Sequence, residues 1–380
     1  MARNKNVVVF FIPTMEAGGA EKNVVNIFSG INKEKYEPWL IVCEKKGQFL
    51  KEISKDVRIF ELKSFNSLVI FLKVVKFFKK EKPDLFVSNL SRFNIINILA
   101  KIFSRTDSKI IIVEHTQISL LASTARSFLR RVFARFILIS LVRFLYNKAD
   151  VVIAVSMGVA EDLKKILNKD RTVKVIYNPV AVEKIVDLSK ESLSHVWFKE
   201  KTPKIVIAVG RLVKAKDYLT LLKAFKLVLD KTPAKLVILG EGSERENLEQ
   251  TVKELQIFKN VDFLGYQPNP YMYMANASVF VLSSVREGFG NVIVEAMACG
   301  TPIVATDCKS GPNEIINNGE NGILVPVQDE KALAKAILNI FTNPSLAKSL
   351  SLQGKKRAKF FTAKKSVKEY EEVFEQLIVK

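Results

Sequence analysis

Residues 279–306 read VFVLSSVREGFGNVIVEAMACGTPIVAT. The run 279–284 reads as a strand, the stretch around Gly288 and Gly290 as a loop, Asn291 through Cys299 as a helix, and TPIVAT (301–306) as a second strand. Strand, crossover helix, strand is the building unit of a parallel sheet. Both runs are continuously apolar, as expected where helices cover the two faces of the sheet. The same rhythm recurs outward. KIVIAVG (204–210), KLVILG (235–240) and VDFLG (261–265) precede it, and GILVPV (322–327) follows. An earlier series comprises VVVFFI (7–12), WLIV (39–42), VRIFEL (57–62), DLFVSN (84–89), KIIIVE (109–114), DVVIAVS (150–156) and VKVIYN (173–178). Two such series predict an α/β protein with two doubly wound, Rossmann-like domains. The polar stretch 186–203 is the expected linker, giving domains over 1–185 and 204–355. A terminal helical segment over 356–380 carries an apolar stripe at Val367, Tyr370, Val373, Phe374 and Leu377.

The chain has 380 residues, 48% hydrophobic and 26% charged, which excludes global disorder and allows two cores. Its net charge is +20, and residues 1–190 hold 33 Lys+Arg against 18 Asp+Glu. Such an excess points to an anionic partner: nucleic acid, an anionic membrane or a phosphorylated substrate. No nucleic-acid-binding module is recognisable, so nucleic acid is not the expected partner. Cys43, Cys299 and Cys308 form neither a disulfide framework nor a zinc pattern and fit a reducing cytosol. The N-terminal apolar run reads as a first strand rather than a signal peptide. No run reaches the roughly 18 apolar residues of a membrane span.

Ligands of open α/β sheets bind at the carboxyl ends of the strands, so the residues just after each strand are the candidates. Gly18 and Gly19 precede a helix; they either admit a phosphate to its N-terminus or simply make a turn. Arg211 and Lys216 follow the 204–210 strand, where two cations can clamp a diphosphate or stay solvated. His115 ends the KIIIVE strand, whereas His195 falls in the expected linker and reads as inert. Glu287 and Glu295 bracket a helix start. Carboxylates accept hydrogen bonds from vicinal hydroxyls, so one glutamate suits a sugar and the other a ribose. Glu295 lies among Val294, Ala296, Met297 and Ala298, where a buried charge requires a partner.

Glu287 and Glu295 within EGFGNVIVEAMACGTPIVAT, together with GRLVKAK (210–216), GGAE (18–21), EHT (114–116) and AVS (154–156), make a pattern. From Val7 to about Leu377 the chain resembles the retaining glycosyltransferases of family four. The resemblance implies the GT-B fold, two facing Rossmann-like domains with a cleft between them, and a tail helix that crosses back to the first. It implies transfer of a hexose or N-acetylhexosamine from a nucleoside-diphosphate sugar, most commonly UDP-linked. Arg211 and Lys216 would hold the diphosphate, and Glu295 the ribose hydroxyls. Glu287, with the amides of Gly288, Phe289, Gly290 and Asn291, would grip the transferred sugar. Gly18 and Gly19 would lie near the phosphates, and His115 near the sugar and acceptor. No metal or other cofactor is implied, because fixed cations and helix-start amides can stabilise the departing diphosphate. Retention would follow from same-face attack, the leaving phosphate taking the acceptor's proton, without a protein nucleophile.

The first domain of such enzymes binds the acceptor. In SLVIFLKVVKFFKKEK (67–82), Lys73, Lys76, Lys79 and Lys80 project to one side of a helix. Ile70, Phe71, Val74, Phe77 and Phe78 project to the other. The lysines are either solvated or set against anionic headgroups. STARSFLRRVFARFILISLVRFLYNK (123–148) holds Arg126, Arg130, Arg131, Arg135 and Arg143 among large apolar residues. It reads as two short helices or as a flap with snorkelling arginines. The expectation is a cytoplasmic enzyme, peripheral on the inner face of the cytoplasmic membrane, with a lipid-linked glycan as acceptor. A sugar-nucleotide epimerase and a soluble glucan or disaccharide synthase are the alternatives. The paired glutamates oppose the first, and the two charged apolar segments the second.

Overall fold

The computed structural model describes residues 5–16, 18–121, 128–168, 170–199 and 203–378. The chain divides into two units. The first runs to Pro179 and resumes at Ala363; the second is Val180–Thr362.

In the first unit β1 (Asn6–Phe11), β2 (Tyr36–Val42), β3 (Arg58–Glu61), β4 (Leu85–Asn89), β5 (Lys109–Glu114), β6 (Val151–Ala154) and β7 (Val173–Val175) form one sheet. All pairings are parallel, in the order β3-β2-β1-β4-β5-β6-β7. Val7, Val8, Val9 and Phe11 are wholly buried, which is why β1 reads as an unbroken apolar run. The order reverses between β1 and β4, and the carboxyl ends at such a switch point are where ligands of doubly wound sheets approach.

The second unit repeats the plan with β8 (Lys204–Val209), β9 (Ala234–Leu239), β10 (Val261–Gly265), β11 (Val279–Leu282), β12 (Ile303–Thr306) and β13 (Ile323–Val325). Their order is β10-β9-β8-β11-β12-β13, again parallel, with the switch between β8 and β11. Just beyond β9, Gly240 has φ +135°, and a Cβ there would stand 2.0 Å from the Gly210 carbonyl oxygen. Only glycine lets the chain beyond β9 approach the end of β8 so closely.

The boundaries differ from the sequence reading. Val182–Leu188 is a helix with Val182 and Ile185 buried, and the segment expected as a linker groups with the second unit. His195 has structural partners: its Nδ1 accepts from the Trp197 amide at 3.2 Å and its Nε2 faces Asp262 Oδ2 at 3.1 Å. The helix Pro344–Ala358 groups with the second unit, and only the helix Ala363–Ile378 belongs to the first. There Phe374, wholly buried, sets its ring edge-on to Tyr36 at 5.6 Å and to Phe10 at 6.5 Å.

Phe374→Ala removes a large buried ring and should cost about 3–5 kcal/mol of stability. Hydrogen exchange read by mass spectrometry should find the loss in β1 and β2. Equal loss of protection in the second unit would contradict the packing described here.

Candidate functional site

In the second unit the loops after β8 and β11 are sewn together. The Val285 amide donates to the Ala215 carbonyl at 3.0 Å, and Ser283 Oγ donates to the Lys216 carbonyl at 2.8 Å. Lys216 closes a short 3-10 turn, Lys214–Lys216. Asp217 (φ +46°) then caps the helix Tyr218–Leu229 by accepting from Thr220. This stitching brings Lys216 Nζ to 2.5 Å from Glu287 Oε1. Ser284 Oγ donates to the same carboxylate oxygen at 2.6 Å, and Ser310 Oγ donates to the Glu287 carbonyl at 2.5 Å. The two charged side chains are only 19% and 10% exposed, so the pair is partly withdrawn from water.

Gly290, at φ +96°, turns the loop into the helix Asn291–Cys299. Phe289 is buried with its ring against Phe361, so only its backbone is available to a ligand. Glu295 corrects the sequence expectation: the helical period places it on the more open stripe with Asn291 and Cys299, while Val294 and Ala296 are buried. Arg211 is exposed in the loop after β8 and, among the described residues, has no ion-pair partner. The second unit thus joins Lys216 to Glu287 directly. It sets Arg211, Gly288, Phe289, Gly290, Asn291 and Glu295 on the loops and helix that follow β8 and β11.

Gly18, Gly19 and His115 belong to the first unit. Gly18 precedes the helix Gly19–Gly30, and a Cβ on it would meet the Glu21 carboxylate at 2.1 Å. The helix start is therefore covered by a carboxylate of its own first turn. His115 follows β5, and its Nε2 lies 2.9 Å from Asn89 Oδ1.

Beneath His115 lies a polar cluster that sequence reading did not single out. Glu114 is fully buried; Ser91 Oγ donates to its Oε1 and Tyr146 OH to its Oε2, each at 2.8 Å, and the His115 amide to Oε1 at 3.2 Å. Burial pushes this carboxyl up to about 7, although its donors pull the other way. Burial also holds the His115 imidazole down, near 4. Asn94 donates to the Val113 carbonyl at 3.1 Å, while its Oδ1 is buried without a partner. The acid beside the histidine in EHT was the one available signal. Among the described residues no group of three His, Cys, Asp or Glu side chains is placed to hold a metal ion.

One surface of the first unit is apolar and basic. The helices Ser67–Glu81, Ser91–Ser104 and Phe128–Tyr146 pack side by side. The last is one helix, not two short ones; the side chains of Arg126, Arg130, Arg131 and Arg135 lie outside the described residues. Leu68 (65% exposed), Leu72 (57%), Phe103 (61%), Phe136 (70%) and Phe144 (66%) face solvent from these helices. Lys76, Lys79, Lys80 and Arg143 are exposed among them. Two details differ from expectation: Lys73 Nζ is tied to the Leu62 carbonyl, and Phe71 turns its ring edge to Phe103 at 5.5 Å. No helix among the described residues is long and apolar enough to cross a membrane.

Residues 17–184 match the family described as Glycosyltransferase Family 4, and residues 189–357 that described as Glycosyl transferases group 1. The chain is 31% identical over 360 residues to a Campylobacter jejuni protein, covering 92% of this chain and 94% of that one. That relative is named N-acetylgalactosamine-N,N'-diacetylbacillosaminyl-diphospho-undecaprenol 4-alpha-N-acetylgalactosaminyltransferase. A second C. jejuni relative is 30% identical, with 93% and 94% covered. It is named as an alpha-1,4-N-acetyl-D-galactosaminyltransferase acting on GalNAc-alpha-(1->4)-GalNAc-alpha-(1->3)-diNAcBac-PP-undecaprenol. The fold is shared with Anabaena HepE, solved in complex with UDP and glucose, at TM-score 0.81 and 21% identity over 98% of this chain and 100% of that one.

Glu114 and His115 bias stability in opposite directions with pH. A carboxyl raised from 4.5 to about 7 by folding contributes stability that is full below 4.5 and lost as pH rises toward 7. A histidine lowered from 6.5 to about 4 contributes stability that is lost as pH falls from 6.5 toward 4. Glu114→Gln removes only the first effect. Its stability relative to wild type, read from urea midpoints, should therefore climb between pH 4.5 and 7. A constant difference across that range would show that Glu114 ionises as freely as an exposed acid.

Proposed function

Because this chain belongs to the family 4 glycosyltransferases, with the GT-B fold, we propose that it is a retaining, metal-independent enzyme that moves a hexose or N-acetylhexosamine from a UDP-sugar to a lipid-linked glycan. The observation that carries the reading is the Lys216–Glu287 pair, fixed where β8 and β11 diverge. A nucleoside diphosphate lying there meets Lys216 as a point charge and Arg211 as a bidentate fork. Lys216 then shares its charge between Glu287 and phosphate. The carboxylate is freed to accept from sugar hydroxyls, and Glu295, one turn into the helix, from ribose hydroxyls. As the glycosidic bond to the donor breaks, negative charge grows on the β-phosphate. On this reading two cations and the amides around Gly288–Asn291 stabilise that charge as it forms, which lowers the barrier. The departing phosphate accepts the acceptor's proton on the same face, which retains configuration. UDP as the nucleotide of the donor is supported by the HepE complex, and a lipid-linked acceptor by the diphospho-undecaprenol glycans in the names of the C. jejuni relatives.

The exposed apolar and basic face of the first unit supports action at an anionic membrane surface. Leu68, Leu72, Phe136 and Phe144 can enter the acyl boundary while Lys76, Lys79, Lys80 and Arg143 meet headgroups. The reading places the enzyme peripherally on the cytoplasmic leaflet, where nucleotide sugars are made. A soluble synthase has no use for such a face.

Lys216→Ala should lower turnover by roughly 10²-fold or more, measured as UDP release from a panel of UDP-sugars with extracted lipid-linked glycans present. Glu295→Ala should weaken UDP binding in calorimetry. Near-normal values for both would remove the site assignment. Flotation should carry the protein up with phosphatidylglycerol vesicles and not with neutral phosphatidylcholine vesicles. Leu72→Asp with Phe144→Asp should abolish the carriage while sparing release of UDP. Flotation unaffected by the double change would place membrane contact elsewhere.

A further inference from the structure

We infer that Ser284 is a positioning residue for Glu287: its hydroxyl keeps hold of carboxylate oxygen Oε1 when the Lys216 cation turns to the donor's diphosphate, so that Oε2 stays open to a hydroxyl of the donor sugar. The inference rests on the transferase reading above and adds to it a residue that no ligand touches. Every group it uses lies in the second unit.

Glu287 Oε1 carries two hydrogen bonds, from Lys216 Nζ at 2.5 Å and from Ser284 Oγ at 2.6 Å. Among the described residues Oε2 accepts none, so one oxygen is engaged while its twin keeps its lone pairs spare. The two donors differ in what else can claim them. Lys216 is 19% exposed and carries the charge that a phosphate attracts. Ser284 is wholly buried, so no ligand reaches it. One donor can leave and the other cannot. Without the serine, a departing lysine would strip Oε1 of both its bonds. A carboxylate only 10% exposed would then follow the cation or swing toward water.

Ser284 can hold its partner because its own backbone is held. Its carbonyl accepts from Cys308 Sγ at 3.0 Å and from Thr306 Oγ1. The Glu287 carbonyl accepts from Ser310 Oγ. Thr306 ends β12, the neighbour of β11, and the three donors come at every second position, buried, with Asp307 and Lys309 exposed between them. Period two puts alternate side chains on one side of an extended chain. Residues 306, 308 and 310 thus reach across to the loop after β11 and clamp it at both ends of the link from Ser284 to Glu287. The Val285 amide, inside that link, is tied to the loop after β8. With the backbone fixed on both sides, the separation of the Ser284 hydroxyl from the Glu287 carboxylate depends on side-chain torsions alone.

The test separates sugar from nucleotide, because UDP has no sugar for Glu287 to hold. UDP, UDP-glucose, UDP-N-acetylglucosamine and UDP-N-acetylgalactosamine are titrated into the full chain by calorimetry, and the nucleotide sugar bound most tightly is carried forward. Ser284→Ala should weaken that nucleotide sugar roughly tenfold and UDP less than about twofold. Ser284→Cys nearly keeps the volume but donates poorly, so it should match alanine, and it serves should the alanine variant fail to fold. In a Glu287→Ala background the serine change should weaken binding no further. No loss in Ser284→Ala overturns the inference. So do equal losses for UDP and the nucleotide sugar, which make Ser284 a shaper of the loop alone, and a full additional loss beside Glu287→Ala, which makes it act without Glu287. Wild-type protein that binds no nucleotide sugar overturns the transferase reading, and the ligand role with it. The contact is then read by itself, from urea midpoints of wild type, the two alanine variants and their double: coupling between the changes keeps it, and additivity removes it.

Discussion

The second unit depends on the two bonds that join the loop after β8 to the loop after β11, Val285 to Ala215 and Ser283 to Lys216. Residues 216 and 287 are distant in sequence. A lysine and a glutamate on independent loops would spend most of their time hydrated and apart, because an exposed ion pair is worth little. Here the backbones are fastened first and the side chains meet as a consequence. A partly buried pair is costly to leave half-made. That makes Lys216 and Glu287 a prepared site for a ligand that brings its own charge and hydroxyls. Gly240 supports the first of these loops, since a side chain there would collide with the Gly210 carbonyl where that loop begins.

Much of this was legible in the sequence. All thirteen apolar runs became strands, since a parallel strand covered on both faces has no reason to alternate. Of the stripe at Val367, Tyr370, Val373, Phe374 and Leu377, the first four are buried as its period required and Leu377 is half-buried. The identity of the loops also came through, because loops that follow strands are recognisable without coordinates. Glu295 was misjudged on burial because neighbours in sequence are not neighbours on a helix face.

What the sequence hid was long-range. Ser88, Asn89, Ser91, Asn94, Glu114 and Tyr146 look unremarkable one at a time, a polar end to an apolar run or a tyrosine in a hydrophobic helix. Parallel pairing of β4 with β5 and the packing of two helices against them bring Ser91, Asn94, Glu114 and Tyr146 into one hydrogen-bonded cluster, join Asn89 to it through His115, and pair Ser88 separately with Asn97. No local period encodes such a meeting. The cluster also costs stability, with a carboxyl wholly out of water and an unpartnered Asn94 Oδ1. Polar burial of this kind, set directly under a strand end, is characteristic of a place kept for chemistry rather than for folding.

The helix Ala363–Ile378 packs on strands made near the beginning of the chain, while everything from Val180 to Thr362 belongs elsewhere. During synthesis, the ribosome releases β1 and β2 long before Phe374 exists. The first-made unit must wait, with the pocket around Phe10 and Tyr36 uncovered, until the second has been translated in full. The second unit has no such debt and can fold as it emerges. A chain stopped after Thr362 would therefore injure the unit made earlier and spare the one made later.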